Sequence, residues 1–443
     1  MGKLKFILPI IILVGITVWA VPTILQAMPD RYVMRLPQPL QQYGLPEDTV
    51  PTLPTAASPI DAAQLLATSE LAPPTAAATL VLSDAQVAAA TKPQPAQSEP
   101  EIAPPATATN IPTSTPQPTV TPWPLPPAAR LNGIQHNFQE WNNCGPATLA
   151  MGLSFFGQQV TQSETAAILK PDPEDRNVSP NEMVAYVNDE TELAAVTRTN
   201  GNLDILRRAI ANNIPIIIEI GIEPPGEFRW MGWYGHYLLV VAYDDAQQQL
   251  WVYDSWFGTS EEPLQNSHPD GRILRYSELE TYWPHFNKNY IALFEPDQAE
   301  MFAAIIGDDM EDNQMWQRAL ADVQKTTAVA SDNAFNWFNL GTIYNALGDY
   351  EAAATAFDQA RALGLPWRML WYQFGPYEAY YQVGRYEDVI LLADTTLKDR
   401  PYFEESFYYK GLALAAQGDE AAAQELFEKA ATFNPNNILT IAN

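Results

Sequence analysis

Apolar positions change their spacing along this chain, and each spacing predicts a different element. From Phe6 to Leu25 they are nearly continuous, and no charged residue falls between Phe6 and Pro29. About 20 apolar residues in a helix cross a bilayer core, so residues 1–28 read as a membrane anchor, with a cleaved signal peptide as the alternative. Lys3 and Lys5 precede the run and put the N-terminus inside and the body of the chain outside. Residues 29–130 show no apolar period. Of the 38 prolines, 21 lie between Met28 and Pro127, among Ala, Thr, Ser and Gln, which predicts a disordered, semi-extended linker.

From Leu131 the pattern becomes globular. Leu149, Leu153 and Phe156 lie along one side of an expected amphipathic helix that starts at Cys144. Helices are also expected at Ser163–Leu169, after Ser179, and over Leu203–Asn212. Ser179 with Glu182 makes a capping box and Pro180 suits the first turn, which explains Ser179 better than the glycosylation sequon Asn177-Val-Ser179 does. Pro215–Ile220 is a β-branched run typical of a buried strand. A hairpin follows, with arms His236–Tyr243 and Leu250–Asp254 joined through polar residues 244–249. Helices followed by antiparallel strands make residues 131–297 an α+β domain. Just before the hairpin, Trp230, Trp233 and Tyr234 read as packing or as a substrate groove.

Residues 298–443 are helical throughout and they repeat. Trp337, Leu340-Gly341, Tyr344, Gly348, Ala353, Phe357 and Ala360 follow the tetratricopeptide pattern. Gly411, Gly418, Ala423, Phe427 and Ala430 repeat that spacing 70 residues on, and Tyr380, Gly384 and Tyr386 echo it at a shift of 36. Gly307, Trp316 and Ala319 mark a degenerate leader. The result is a short all-α solenoid whose default role is to bind a protein partner.

The net charge of −28 falls almost wholly beyond residue 130 and repels phosphate, which excludes nucleic acid as a partner. Cys144 is the single cysteine, so an exported chain has no internal disulfide, and a lone oxidisable thiol outside the cell favours a working role. At a helix start, the macrodipole and unpaired N–H groups favour a thiolate and can receive an oxyanion. A cysteine nucleophile also needs a base and a group to orient it. Among four histidines, His236 opens a strand at an expected sheet edge, and the hairpin returns Asp254 beside it. Gln139 can lay its amide next to the thiol. His136, His268 and His285 show no partners in the sequence, no cluster has metal-ligand spacing, and no cofactor is expected.

Gln139 with Cys144-Gly-Pro-Ala, then Gly235-His236-Tyr-Leu-Leu-Val-Val-Ala-Tyr-Asp244, then Val252-Tyr-Asp254, resemble the double-glycine-leader, bacteriocin-processing cysteine peptidases and their papain-like relatives. The resemblance covers Leu131 to Pro296. It departs from the usual pattern at Ser255, where proline is common, and at Ala242, where glycine is. It implies a papain-like fold and peptide-bond cleavage with Cys144 as nucleophile, His236 as base and acid, Asp254 as orienting carboxylate, and Gln139 with the Cys144 N–H as oxyanion hole. The chemistry carries over; the double-glycine substrate does not. The expected whole is a membrane-anchored, extracytoplasmic thiol peptidase with tetratricopeptide repeats that hold a substrate or partner, secreted if the N-terminus is cleaved. The competing readings are an inactive papain-like scaffold and an amidase acting on cell-wall peptides.

Overall fold

The computed structural model describes residues 52–56, 62, 64–67, 125–223, 232–257 and 270–436. The Phe6–Leu25 run lies outside them, and among the described residues no helix is long and apolar enough to cross a membrane. In chain order, a single turn α1 (Gln64–Ala67) precedes β1 (Ala128–Arg130), α2 (Cys144–Ser154), α3 (Gln162–Leu169) and α4 (Pro180–Glu190). Then come β2 (Ala194–Arg198), α5 (Leu203–Ala211), β3 (Ile216–Ile222), β4 (Tyr234–Asp244), β5 (Gln249–Asp254), β6 (Arg272–Arg275), α6 (Tyr276–Tyr282) and β7 (Tyr290–Phe294).

These strands form one antiparallel sheet in the order β2-β7-β3-β4-β5-β6, with β1 added against the far end of β4. Successive side chains of a strand point to opposite faces. Ile216, Ile218, Leu238 and Val240 therefore pack with Leu206 and Ile210 of α5, while Ile217, Leu239 and Val241 pack with Leu149 and Leu153 of α2 and Met183 of α4. Covered on both faces, β3 and β4 have no need of polar alternation, which explains their apolar runs. The capping box at α4 forms as its sequence requires, and Thr161 with Glu164 builds a second one at α3.

Three expectations are corrected. The helix opened by Cys144 is not amphipathic, because every residue from Gly145 to Leu153 is buried between the sheet and its neighbouring helices. His236 is not exposed as a sheet-edge residue: it pairs with Ile220 of β3, just before the β4–β5 pairing begins at Leu238, and is only 6% exposed. The stretch 29–130 is not linker throughout. Thr52 bridges Pro366, the Leu53 N–H donates to the Leu365 carbonyl at 2.9 Å, and Leu53 and Ala62 are buried, because this is where the Pro-rich segment carries side chains that fill an apolar groove. Its last residues also form β1. Asn177, the acceptor of the sequon, is buried and donates to Glu405 Oε1 at 2.9 Å.

The helical half continues with α7 (Ala299–Ile306), α8 (Asp312–Val329), α9 (Ala334–Ala346), α10 (Tyr350–Leu363), α11 (Gly375–Gln382), α12 (Tyr386–Asp399), α13 (Glu404–Ala416) and α14 (Glu420–Phe433). The last six helices make three antiparallel pairs. A Cβ added at Gly341 or Gly411 would meet the ring of Phe357 or Phe427 at 2.7 or 2.6 Å, so the equivalent glycines allow each pair to close. Helix α7, expected as part of the degenerate leader, packs Phe302 and Ile306 into the core beneath the sheet.

The two halves share a core. Trp233 and Phe286, on the α+β side, belong to the same apolar cluster as Phe338, Leu370 and Trp371 of the repeats. Polar contacts border it: Asn339 Nδ2 donates to the Pro284 carbonyl at 2.5 Å, and Gln373 Nε2 to the His285 carbonyl at 3.3 Å.

Candidate active site

Cys144 is the first residue of α2 and is half-buried. The chain reaches it through a tight loop, Asn137–Asn143, in which Asn142 adopts a left-handed φ of 57°. Gln162, from α3, holds this loop from below. Its Nε2 donates to the Phe138 carbonyl at 2.7 Å, and its Oε1 accepts from the Glu140 N–H at 2.7 Å and from Asn143 Nδ2 at 3.4 Å. Gly145 lets α2 pass close to Val178, with only 3.1 Å available to an added Cβ.

His236 lies near enough to the Cys144 thiol to interact with it, and meets Asp254 Oδ1 through Nε2 at 2.8 Å. Because Nε2 is taken by the carboxylate, Nδ1 is the nitrogen left for the sulfur. The register explains the pairing: Leu238 faces Asp254 across the hairpin, so His236 and Asp254 lie within reach at the same end of β4 and β5.

Asp254 is completely buried and fully satisfied. Beyond His236, Arg272 Nη2 donates to its Oδ2 at 2.7 Å, and the N–H groups of Trp256 and Phe257 donate to its Oδ1 at 2.9 Å. Burial alone would raise its pKa, but His236, Arg272 and these N–H donors outweigh burial and hold it well below the usual carboxylate range. For His236, burial pulls the pKa down, yet the Asp254 carboxylate prevails and pushes it up to about 9.

That shift carries a stability prediction. The folded pKa lies above the reference value of 6.5, so the imidazolium's stabilisation is complete below about pH 6.5 and is lost as pH rises through about 9. The urea midpoint of the wild type is expected to fall between pH 7 and pH 9.5 more steeply than that of His236→Gln. Parallel profiles would show that His236 bears no extra proton in the fold.

Gln139 is tied to the residue after Asp254. Its N–H donates to the Ser255 carbonyl at 2.8 Å, and its Oε1 accepts from Ser255 Oγ at 2.9 Å, so Nε2 remains as a donor. His236 and Asp254 are thus in direct contact, the Cys144 thiol lies near His236, and Gln139 is joined to Ser255, the chain neighbour of Asp254. Lys170, Tyr237 and Tyr372 lie near enough to interact electrostatically with Cys144, and Tyr372 comes from the repeats.

Two of the histidines set aside earlier do have partners. His136 Nε2 donates to the Asp254 carbonyl at 2.8 Å, and His285 Nδ1 accepts from Trp233 Nε1 at 3.2 Å while its ring stacks on Phe335. Trp233 is packing, with its ring between the two halves, whereas Trp230 and His268 lie outside the described residues. Sequence reasoning missed Arg272 and Gln162. Among the described residues no group of three or more His, Cys, Asp or Glu could hold a metal ion.

Residues 129–291 match the model of the Peptidase_C39 like family, and residues 336–360 and 404–437 match the tetratricopeptide repeat. The crystal structure of a Bacillus anthracis protein described as a C39-like peptidase is similar at 16% identity, over 38% of this chain and 96% of that one, with a TM-score of 0.29. No curated protein matches the chain. The family match and the repeats coincide with the two halves of the fold, and the chain therefore carries a C39-like peptidase domain followed by tetratricopeptide repeats.

Proposed function

We propose that this protein is a cysteine peptidase that cleaves peptide bonds through Cys144, His236 and Asp254. The observation that carries this reading is the 2.8 Å bond of His236, which lies near the Cys144 thiol, to a fully buried Asp254 with every oxygen engaged. The thiol proton resides on His236, in keeping with its raised pKa, and the sulfur attacks the carbonyl carbon of the scissile bond. The resulting oxyanion sits between Gln139 Nε2 and the Cys144 N–H, a first-turn donor that α2 itself does not use. His236 then protonates the leaving amine, and water, deprotonated by the same ring, cleaves the thioester and frees the thiol. Asp254 keeps the ring oriented throughout and stabilises its charged form.

The remaining parts of the reading concern place and partner. The Phe6–Leu25 run would anchor the chain in the cell membrane with both domains on the extracytoplasmic side. One side of the repeats packs on the peptidase domain, which leaves their other surface for a protein substrate or partner.

The test is hydrolysis of a peptide library by the full chain. Cys144→Ala is expected to abolish turnover and labelling by a thiol-directed electrophile, with a melting temperature close to that of the wild type. A wild type that neither cleaves any peptide nor takes the label at neutral pH would sink the proposal.

A further inference from the structure

Two segments far apart in sequence meet beside Asp254, the loop that carries Gln139 and the end of β5. A carboxamide has one end that donates and one that accepts. If its torsion is free, it can turn either end toward a developing negative charge, and only the donor end helps. In this protein the accepting end is occupied. Ser255, 1% exposed, donates its hydroxyl proton to Gln139 Oε1 at 2.9 Å, and the Gln139 N–H to Ser255 carbonyl bond of 2.8 Å fixes the two backbones side by side.

The anchor of this arrangement is the preceding residue. The Asp254 carboxylate holds His236, its carbonyl accepts from His136, and its Oδ1 receives the N–H groups of Trp256 and Phe257. The Asp254-Ser255 pair is therefore tied down on both side chain and backbone, and its two side chains bond two different partners, His236 and Gln139.

We propose that Ser255 is a positioning residue for the oxyanion donor: its hydroxyl locks the Gln139 carboxamide so that Nε2, and not Oε1, faces the reacting carbonyl. One end of one strand then sets both the base, through Asp254, and the oxyanion donor, through Ser255. This inference rests on the proposed peptidase reading.

The experiment is a double-mutant cycle in the full chain, with peptide hydrolysis as readout. Removing one oxyanion donor lowers kcat on the order of 10²–10³-fold, so Ser255→Ala, which frees the donor without removing it, is expected to lower kcat about tenfold with KM within about twofold. In a Gln139→Ala background the same substitution is expected to change kcat by less than about twofold, because the group it positions is gone. Ser255→Gly removes the same hydroxyl and carries the test if the alanine variant does not fold. Equal losses from Ser255→Ala in both backgrounds, or a loss confined to KM, would overturn the assignment. A wild type without Cys144-dependent turnover would instead strike the peptidase reading itself.

Discussion

Replacing Asp254 with alanine is expected to lower peptidase turnover on the order of 10³-fold or more and to destabilise the fold by about 3–5 kcal/mol. Both effects follow from its burial. The carboxylate has no solvent contact and takes bonds from His236, Arg272, Trp256 and Phe257, so its removal leaves a buried imidazolium and a guanidinium without their counter-charge. A donor left unsatisfied in the interior costs about 1–3 kcal/mol, more when charged. Asp254→Asn separates the two roles. It keeps the volume and one acceptor oxygen, but its NH₂ group must face either His236 or Arg272, each of which is a donor. The asparagine variant should therefore retain more stability than the alanine variant and still lose most of its turnover. Urea unfolding and steady-state hydrolysis of the two variants check this, and an alanine variant as stable as the wild type would mean that the carboxylate is not held as described.

How far the sequence exposed this arrangement depended on the range of the interactions. The Ser179 capping box, the β4–β5 hairpin and the glycine pairs of the repeats were legible because each is decided by residues a few positions apart or by a period. Cys144, His236, Asp254 and Gln139 were legible as types in an order. Their depth was not: a histidine after a glycine at a strand start reads as an edge position, and only its pairing with Ile220 of β3 and its contact with the buried Asp254 make it interior. Arg272 left no local trace, since a charged residue in a four-residue strand usually faces solvent, and its partner is chosen by how β6 pairs with β5. Gln162 was equally silent, because a helix-face amide gives no indication that it will hold a loop two dozen residues upstream. Leu53 and Ala62 were hidden by their Pro-rich surroundings, where composition outweighed two side chains that find a groove.

The joint between the two domains yields the second large effect. Trp233→Ala is expected to lower stability by about 3–5 kcal/mol through the lost ring and the cavity it leaves. Trp233 belongs to the peptidase domain by sequence but is 1% exposed within the repeats' core. Its ring stacks on Phe286 at 5.7 Å and meets Phe335 and Tyr372, both from the repeats, at 5.8 Å, while its Nε1 donates to His285 and its carbonyl accepts from Arg368. Without the indole, His285 loses a donor and Phe335 a neighbour, so the damage falls on both domains at once. If the domains unfold as one unit, a loss of this size lowers the melting temperature by roughly 5 °C, because an unfolding entropy of about 2.1 cal/mol/K per residue leaves about 1–2 °C per kcal/mol in a chain this long. Turnover should fall too, since β4 runs from Tyr234 directly to His236 and Tyr372 lies near the thiol. The decisive measurement is again a cycle: Trp233→Ala and Phe335→Ala, one in each domain, should couple by about 0.5–3 kcal/mol because their rings touch. Strictly additive losses would mean that the repeats merely adjoin the peptidase domain, and the shared core could not then be what couples the two domains.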